Sequence, residues 1–333
     1  MVIEENVSLK QHNSFGIIAN AAYLSAATCQ RELINALDFA DSKRIPVCIL
    51  GEGTNVLFTR DYPGLVVRMA MTGIELDHDN AAVKVAAGEN WHCLVETCMS
   101  NRLHGLENLA LIPGTAGAAP VQNIGAYGVE LAAYVDRVDV LDTVTGSQQV
   151  IAAADCEFAY RDSVFKQANS SSLLITAVHL QLSRDWQPNT SYGALNNALE
   201  GSQPTPQELF DTVCRIRRSK LPDPKQVGNA GSFFKNPMVS EGKLEQLRAS
   251  YPNIVSFDAG EPGFKKLPAA WLLDQLGWRG RCRGTAAVSG EHALVLINPG
   301  QATGEDVYLL AQEISSNVLD EFGIALQPEV RII

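Results

Sequence analysis

Between Arg31 and Lys43 the apolar residues Leu33, Ile34, Leu37, Phe39 and Ala40 fall at mixed helical spacing, which predicts an amphipathic helix. The apolar run Val47 to Leu50 then predicts a short strand. Leu65 to Arg68 and Val83 to Ala87 read as further strands, and Asn90 is placed to cap a helix running to about Asn101. Tyr134 to Leu141 and Leu173 to Leu182 alternate as strands do. Thr205-Pro206-Gln207-Glu208 is a capping box with proline at the first helical position, so a helix begins there and ends before Pro222. Pro268 to Leu276 predicts a short apolar helix stopped by Gly277, Ala293 to Asn298 a strand, and Glu305 to Phe322 a long helix capped by Thr303 and ended by Gly323. From Ile324 to Ile333 a final strand is expected, with Ile324, Leu326, Val330 and Ile332 on one face and Glu329 and Arg331 on the other. Residues 1 to 25 show no strong period, although Asn13-Ser14-Phe15-Gly16 is a turn cluster.

This is a strand-rich α+β pattern, and 333 residues suffice for about two domains with their own cores. The polar stretch around Asn196-Asn197 and Glu200 to Pro204 marks a boundary near residue 200, giving one domain over 1–200 and a second over 205–323. Apolar residues are 46% and charged residues 19%, as in an ordinary globular chain. Lys and Arg total 26 against 37 Asp and Glu, and the net charge of −11 disfavours general binding to nucleic acid or acidic membranes. No stretch reaches the ~18 apolar residues of a membrane span, and the N-terminus lacks a basic start followed by an apolar run, so a cytoplasmic location is expected by elimination. The seven cysteines are scattered without C-x-x-C spacing and read as buried small hydrophobes in a reducing compartment.

Two glycine clusters stand out. Gly51-Glu52-Gly53-Thr54-Asn55 directly follows the strand ending at Leu50, and Leu111 to Gly128 sets Gly114, Gly117, Gly125 and Gly128 among small residues. A loop with so few side chains is either a packing turn or a polar main-chain surface for an anionic ligand. Two such loops favour one extended ligand containing a diphosphate. The spacing does not fit G-x-G-x-x-G opening a helix, which disfavours a Rossmann fold.

Ser232 follows a glycine, yet G-x-S-x-G is absent because Phe234 occupies the last glycine position, and none of the six histidines sits in a triad or metal-ligand spacing. A serine without a base can still donate a proton. Arg161, in Tyr160-Arg161-Asp162-Ser163, is either an ordinary ion-pairing residue beside Asp162 or a charged fork for a carboxylate or enolate. Arg215, Arg217, Arg218 and Lys220 are equally readable as cations at a helix C-terminus. Glu329 by periodicity alone would be a solvated outer-face residue.

Taken together, I-P-G-T-A-G-A-A-P-V-Q-N-I-G-A-Y-G, G-E-G-T-N, Y-R-D-S, N-A-G-S-F-F-K-N-P and P-E-V-R resemble the UDP-N-acetylenolpyruvoylglucosamine reductase family, over nearly the whole chain and in the same order. The resemblance implies a two-lobed FAD-binding domain of the vanillyl-alcohol-oxidase (PCMH) type, to which the last strand returns, followed by an α+β substrate-binding domain. It implies that FAD lies on Gly51, Gly53, Thr54, Asn55, Pro113, Gly114, Gly117, Ala118, Ala119, Ile124 and Gly125. Relatives with covalent flavin often carry a histidine in the first loop, and Thr54-Asn55 here implies a noncovalent cofactor. Some members have serines at Ala118 and Ala119, a departure that removes two hydroxyls and leaves the amides. It further implies NADPH as hydride donor, Arg161 and Glu329 as the pair that polarises the substrate carboxylate, and Ser232 as proton donor. Lys220 and Asn236 match groups that contact substrate or NADPH phosphates. Tyr192 in Asn189-Thr190-Ser191-Tyr192-Gly193 matches a tyrosine whose loop closes over the substrate, and places the chain with members that have that loop. The family likeness also implies a monomer.

Two rival readings share these residues. An alcohol or hydroxy-acid oxidase of the same FAD fold has no need of the Gly231-Ser232 and Lys235-Asn236 pairs, and a binder that had lost its chemistry would not need Arg161, Ser232 and Glu329 together.

Overall fold

The structure is a computed structural model that describes residues 1–170 and 172–333. It divides into two compact units. The first comprises residues 1–7, 21–53 and 63–218, and the second residues 8–20, 54–62 and 219–333.

In the first unit a four-stranded sheet has the order Ile3–Ser8, Asn20–Ala27, Tyr62–Met69, Val47–Leu50. Val47 to Leu50 run parallel to Leu65 to Arg68, so the chain that follows Leu50 must cross over before it pairs, whereas helix α1 (Gln30–Lys43) makes the earlier connection from strand Asn20–Ala27 to strand Val47–Leu50. The face of α1 carrying Leu33, Ala36 and Ala40 is buried. A second, wholly antiparallel sheet has the order Gln148–Ala152, Val135–Asp142, Leu173–Gln181, Ala82–Ala86, Ile74–Asp77. Helix α2 (Trp91–Ser100) buries Trp91, Leu94, Val95 and Cys98 in the same core, and Asn90 caps it as its sequence suggests. The short helix α3 (Gly193–Ala198) takes up Asn196 and Asn197, which have the composition of a connector.

Helix α4 (Pro206–Lys220) starts on the expected capping box, with Thr205 and Glu208 exchanging bonds of 2.8 and 3.3 Å. Its Leu209, Val213, Cys214 and Ile216 join the core of the first unit, each large side chain contributing ~1.5–3 kcal/mol. That burial is why the units part at Arg218 and Ser219, at the end of this helix, and not in the polar stretch near residue 200.

The second unit holds an antiparallel sheet ordered Gly228–Ser232, Val295–Asn298, Ala286–Val288, Cys282–Arg283. A second sheet has the order Met238–Ser240, Phe264–Lys266, Phe257–Asp258. Helix α5 (Glu241–Ser250), capped by Ser240, carries little periodic signal because its apolar stripe is thin, with only Leu244 and Leu247 buried. Helix α6 (Ala269–Gln275) and helix α7 (Gly304–Phe322) fall where their sequence signals put them, and α7 lies against strands Ala286–Val288 and Val295–Asn298.

The structure corrects the expected terminal strand. Only Arg331–Ile332 is strand, paired in parallel with Val56–Leu57. Pro328 cannot donate to a ladder, and it makes an isolated bridge with Phe234. The alternation nevertheless reports burial correctly, since Ile324, Leu326 and Val330 are buried. The expectation of buried cysteines is corrected in part: Cys48, Cys98, Cys156 and Cys214 are buried, but Cys29, Cys93 and Cys282 are exposed. Among the described residues no helix is long and apolar enough to cross a membrane.

Candidate active site

The two glycine loops of the first unit are built against each other. A Cβ on Gly51 would stand 2.6 Å from Thr115 Oγ1, and one on Gly117 would stand 2.5 Å from Ala87 Cβ, so each backbone approaches its neighbour more closely than any side chain permits. Asn90 holds the junction: its Nδ2 donates to Glu52 at 2.7 Å, its Oδ1 accepts from Cys93 N at 2.9 Å, and it bridges Thr115. Close packing therefore accounts for Gly51 and Gly117. The expectation of a bare surface of loop amides is narrowed too, because the N–H groups of Ala116, Gly117, Ala118, Ala119 and Ile124 donate to carbonyls of the protein. The loop keeps left-handed backbone at Gly114, Asn123, Tyr127 and Gly128.

Arg161 sits at the far end of this loop. It adopts φ 54°, a conformation costly for a side-chain-bearing residue, and its Nη2 donates to Gly125 O at 2.7 Å. Asp162 instead accepts from Ser163 N at 3.0 Å, and Ser163 Oγ donates to Val121 O at 2.7 Å, which ties the Y-R-D-S turn to the loop. Asn123 completes the tie with bonds to Glu130 and to Ala159 O.

Arg217 joins the site although its sequence context suggests only one more helix-end cation. Burial, first, and the charge of Arg161 hold its guanidinium below the ordinary arginine range, with Tyr127 acting in the opposite sense. Its buried Nε has no hydrogen-bond partner among the described residues. A helical wheel holds the signal, because Arg217 stands four residues beyond Val213 on the inward side while Arg215 and Arg218 are exposed.

His92 links α2 and α4 to the start of the loop: Leu111 N donates to its Nδ1 at 3.1 Å, and its ring stacks on Phe210 at 5.8 Å. Burial, together with Arg218 and Arg217, depresses its pKa. Tyr192, 44% exposed, meets the Tyr127 ring edge-on at 5.4 Å.

In the second unit Ser232 ends the strand Gly228–Ser232, after Gly231 at φ 70°. Buried Asn229 shapes this turn, its Oδ1 accepting from Gly231 N at 2.9 Å while its Nδ2 donates to Pro222 O and Val227 O. Phe233 and Phe234, each 1% exposed, anchor the continuing chain in the core. Glu329 N donates to Phe233 O at 2.8 Å, so the segment carrying Glu329 lies beside the segment carrying Ser232. Asn55 Nδ2 in turn donates to Glu329 O at 3.1 Å, and Arg331 N donates to Asn55 O at 3.0 Å. Asn55, the Ser232–Phe233 segment and Glu329 thus belong to one local framework. Asn236 Oδ1 accepts from Ala269 N at 2.9 Å at the start of α6. Lys220, at the end of α4, helps burial to keep His292 neutral to lower pH than a free imidazole.

A flavin dinucleotide suits these residues. The loops Gly51 to Asn55 and Pro113 to Gly125 supply close-packed main chain with few side chains, and the buried, unsatisfied Nε of Arg217 beside Arg161 calls for an acceptor-rich or anionic group. Among the described residues there is no group of three or more His, Cys, Asp and Glu that could hold a metal ion.

Comparisons with known proteins agree with this. Residues 223–333 match the family described as UDP-N-acetylenolpyruvoylglucosamine reductase, C-terminal domain, and residues 21–152 match the family described as FAD binding domain. The UDP-N-acetylenolpyruvoylglucosamine reductase of Shewanella sediminis (strain HAW-EB3) is 44% identical over 337 residues, covering 100% of this chain and 97% of its own. The protein of the same name from Escherichia coli (strain K12) is 46% identical over 330 residues, covering 98% and 96%. The crystal structure of UDP-N-acetylenolpyruvylglucosamine reductase (MurB) from Thermus caldophilus aligns with a TM-score of 0.70 over 100% of this chain and 99% of that one, at 24% identity, which shows the shared fold.

Proposed function

The chain belongs to the UDP-N-acetylenolpyruvoylglucosamine reductase family, and from that premise we propose that it reduces UDP-N-acetylglucosamine enolpyruvate to UDP-N-acetylmuramate with NADPH, in peptidoglycan precursor synthesis, as a cytoplasmic monomer. It is an FAD-containing oxidoreductase. FAD, held noncovalently, supplies the relay by which the hydride of NADPH reaches the methylene carbon of the enolpyruvyl group.

As that carbon gains a hydride, the double bond's electron pair moves onto the adjoining carbon and its carboxylate, and the protein must stabilise charge that exists only in passing. Arg161 and Glu329 polarise the carboxylate; a guanidinium suits this role because it stays charged and binds carboxylate oxygens with a planar fork. Ser232 delivers a proton to the adjoining carbon. One hydride and one proton thus convert the double bond to a single bond. A serine hydroxyl is a weak acid, so placement must make it effective. Lys220 and Asn236 bind the phosphates of the substrate or of NADPH, and the loop of Tyr192 closes over the substrate diphosphate.

The observation that carries the reading is the bond from Glu329 N to Phe233 O, at 2.8 Å, which joins the segments of the proposed proton donor and the proposed carboxylate. The test is an anaerobic one. Mixing the purified protein with NADPH is expected to bleach its flavin absorbance, and adding UDP-N-acetylglucosamine enolpyruvate is expected to restore it. Bleaching without recovery refutes the substrate, and indifference to NADPH refutes the donor and favours an oxidase.

A further inference from the structure

Glu107 to Leu109 form one turn of 3-10 helix in which even the polar side chains of Glu107 and Asn108 are buried, 1% and 2% exposed. Neither figures in the chemistry above. The Asn108 carboxamide uses its Nδ2 twice, donating to Tyr127 O at 3.0 Å and to Asn189 O at 2.9 Å. Both partners are carbonyls, which only a donor can satisfy, so the orientation of the amide is set by its neighbours. The two carbonyls lie 19 and 81 residues away in the chain, one in the tip of the second glycine loop and the other in the segment that leads to Tyr192.

Other contacts between these segments are present but lie at the surface. Asn189 Nδ2 donates to Gly128 O at 3.2 Å, while within its own segment Asn189 Oδ1 accepts from Ser191 N and Ser191 Oγ at 3.2 and 2.7 Å. The Tyr127 and Tyr192 rings meet at 89°. Further back, Trp186 Nε1 donates to Glu107 Oε2 at 3.1 Å. An exposed hydrogen bond is readily replaced by water, whereas the two bonds of Asn108 start from a buried carboxamide and are themselves half-buried, so Asn108 contributes most to holding the segments together.

We propose that Asn108 is a positioning residue that fixes the Tyr192 segment onto the Tyr127–Gly128 turn of the loop assigned to FAD, so that Tyr192 takes its place from the cofactor loop. The inference rests on the reductase reading above for what Tyr192 binds, but the structural tie can be tested without it. Substrate affinity then depends on Asn108 through Tyr192, because both bonds of the Asn108 carboxamide go to main-chain carbonyls of the protein.

The test uses the FAD-bound full chain carrying Asn108→Asp, which keeps the side chain's shape but turns an oxygen toward two carbonyls. Hydrogen exchange followed by mass spectrometry is expected to accelerate by about tenfold or more in peptides covering residues 127–128 and 186–193, and not in α1 or α7. In steady state the KM for UDP-N-acetylglucosamine enolpyruvate is expected to rise about tenfold while kcat falls by less than about threefold. Adding Tyr192→Ala to Asn108→Asp is expected to raise KM no further than the larger of the two single changes. Should Asn108→Asp fail to fold, Trp186→Phe removes the second tie at a half-buried position and is expected to accelerate exchange over residues 186–193 alone. Unchanged exchange in the segment overturns the proposal. So does faster exchange throughout the first unit, an equal loss in kcat and affinity, or effects of the two substitutions that multiply. If wild-type protein shows no turnover the reductase reading fails, and the exchange pattern still decides the role of Asn108.

Discussion

Asn55 Nδ2 donates to the main-chain oxygen of Glu329 at 3.1 Å, across 274 residues of chain, and Arg331 N returns a bond to Asn55 O at 3.0 Å. The residue that the family likeness assigns to the cofactor thus also fixes the backbone of the residue assigned to the substrate carboxylate. Asn55→Ala is expected to slow reoxidation of the reduced protein by substrate by about 10 to 10²-fold, because small displacements of a reacting group carry large rate penalties. Single-turnover stopped-flow absorbance checks this, and a rate equal to wild type would mean that the tie does not govern Glu329.

Ser232→Ala separates the two halves of the reaction. If Ser232 only protonates the product carbon, reduction of flavin by NADPH should keep its rate while reoxidation by substrate slows by about 10² or more. Equal losses in both would assign the serine a structural role in the turn that Asn229 shapes.

Two glycines give opposite expectations. A Cβ on Gly117 would lie 2.5 Å from Ala87 Cβ and 2.8 Å from Ala87 Cα, so Gly117→Ala is expected to cost ~1–3 kcal/mol and to weaken retention of FAD. Gly242 is in α5, where an added Cβ meets nothing within 4 Å, and Gly242→Ala is expected to stabilise by ~0.5–1 kcal/mol. Urea unfolding of the two variants checks both signs.

His92 predicts a pH dependence. Its Nδ1 accepts from Leu111 N, which requires that nitrogen to be unprotonated, and burial lowers its pKa below the free value of 6.5. The unfolded chain therefore binds the proton more readily. Above pH about 6.5 the residue costs nothing, and as pH falls from there toward the lowered folded value stability is progressively lost. His92→Gln is expected to flatten this loss below about pH 6.5, measured as the urea midpoint, and an unchanged slope would exclude His92 as its source.

Elements whose causes are local are legible in the order of residues alone. The capping box at Thr205 and Glu208, the Asn90 cap and the Thr303 to Gly323 limits of α7 all depend on neighbours within a helical turn, and all three helices form as expected. The motif order likewise points to the family, because it depends on residue identity alone. Periodicity finds the burial of Ile324, Leu326 and Val330 but not the ladder, since a strand exists only if a partner's carbonyls face its amides, and Pro328 interrupts that pairing.

Tertiary structure alone decided what the glycines and the buried polar residues are for. Gly51 and Gly117 are glycine because Thr115 and Ala87 press against them. The helical wheel of α4 turns Arg217 inward, four residues beyond Val213, but only the folded core shows that its Nε is buried there without a hydrogen-bond partner among the described residues. Asn108 is meaningful only through two carbonyls 19 and 81 residues distant. The order of residues specifies local geometry and chemical type, while the partners of a hydrogen bond or a close contact are set by segments brought together when distant apolar faces are buried, and no local pattern encodes that meeting.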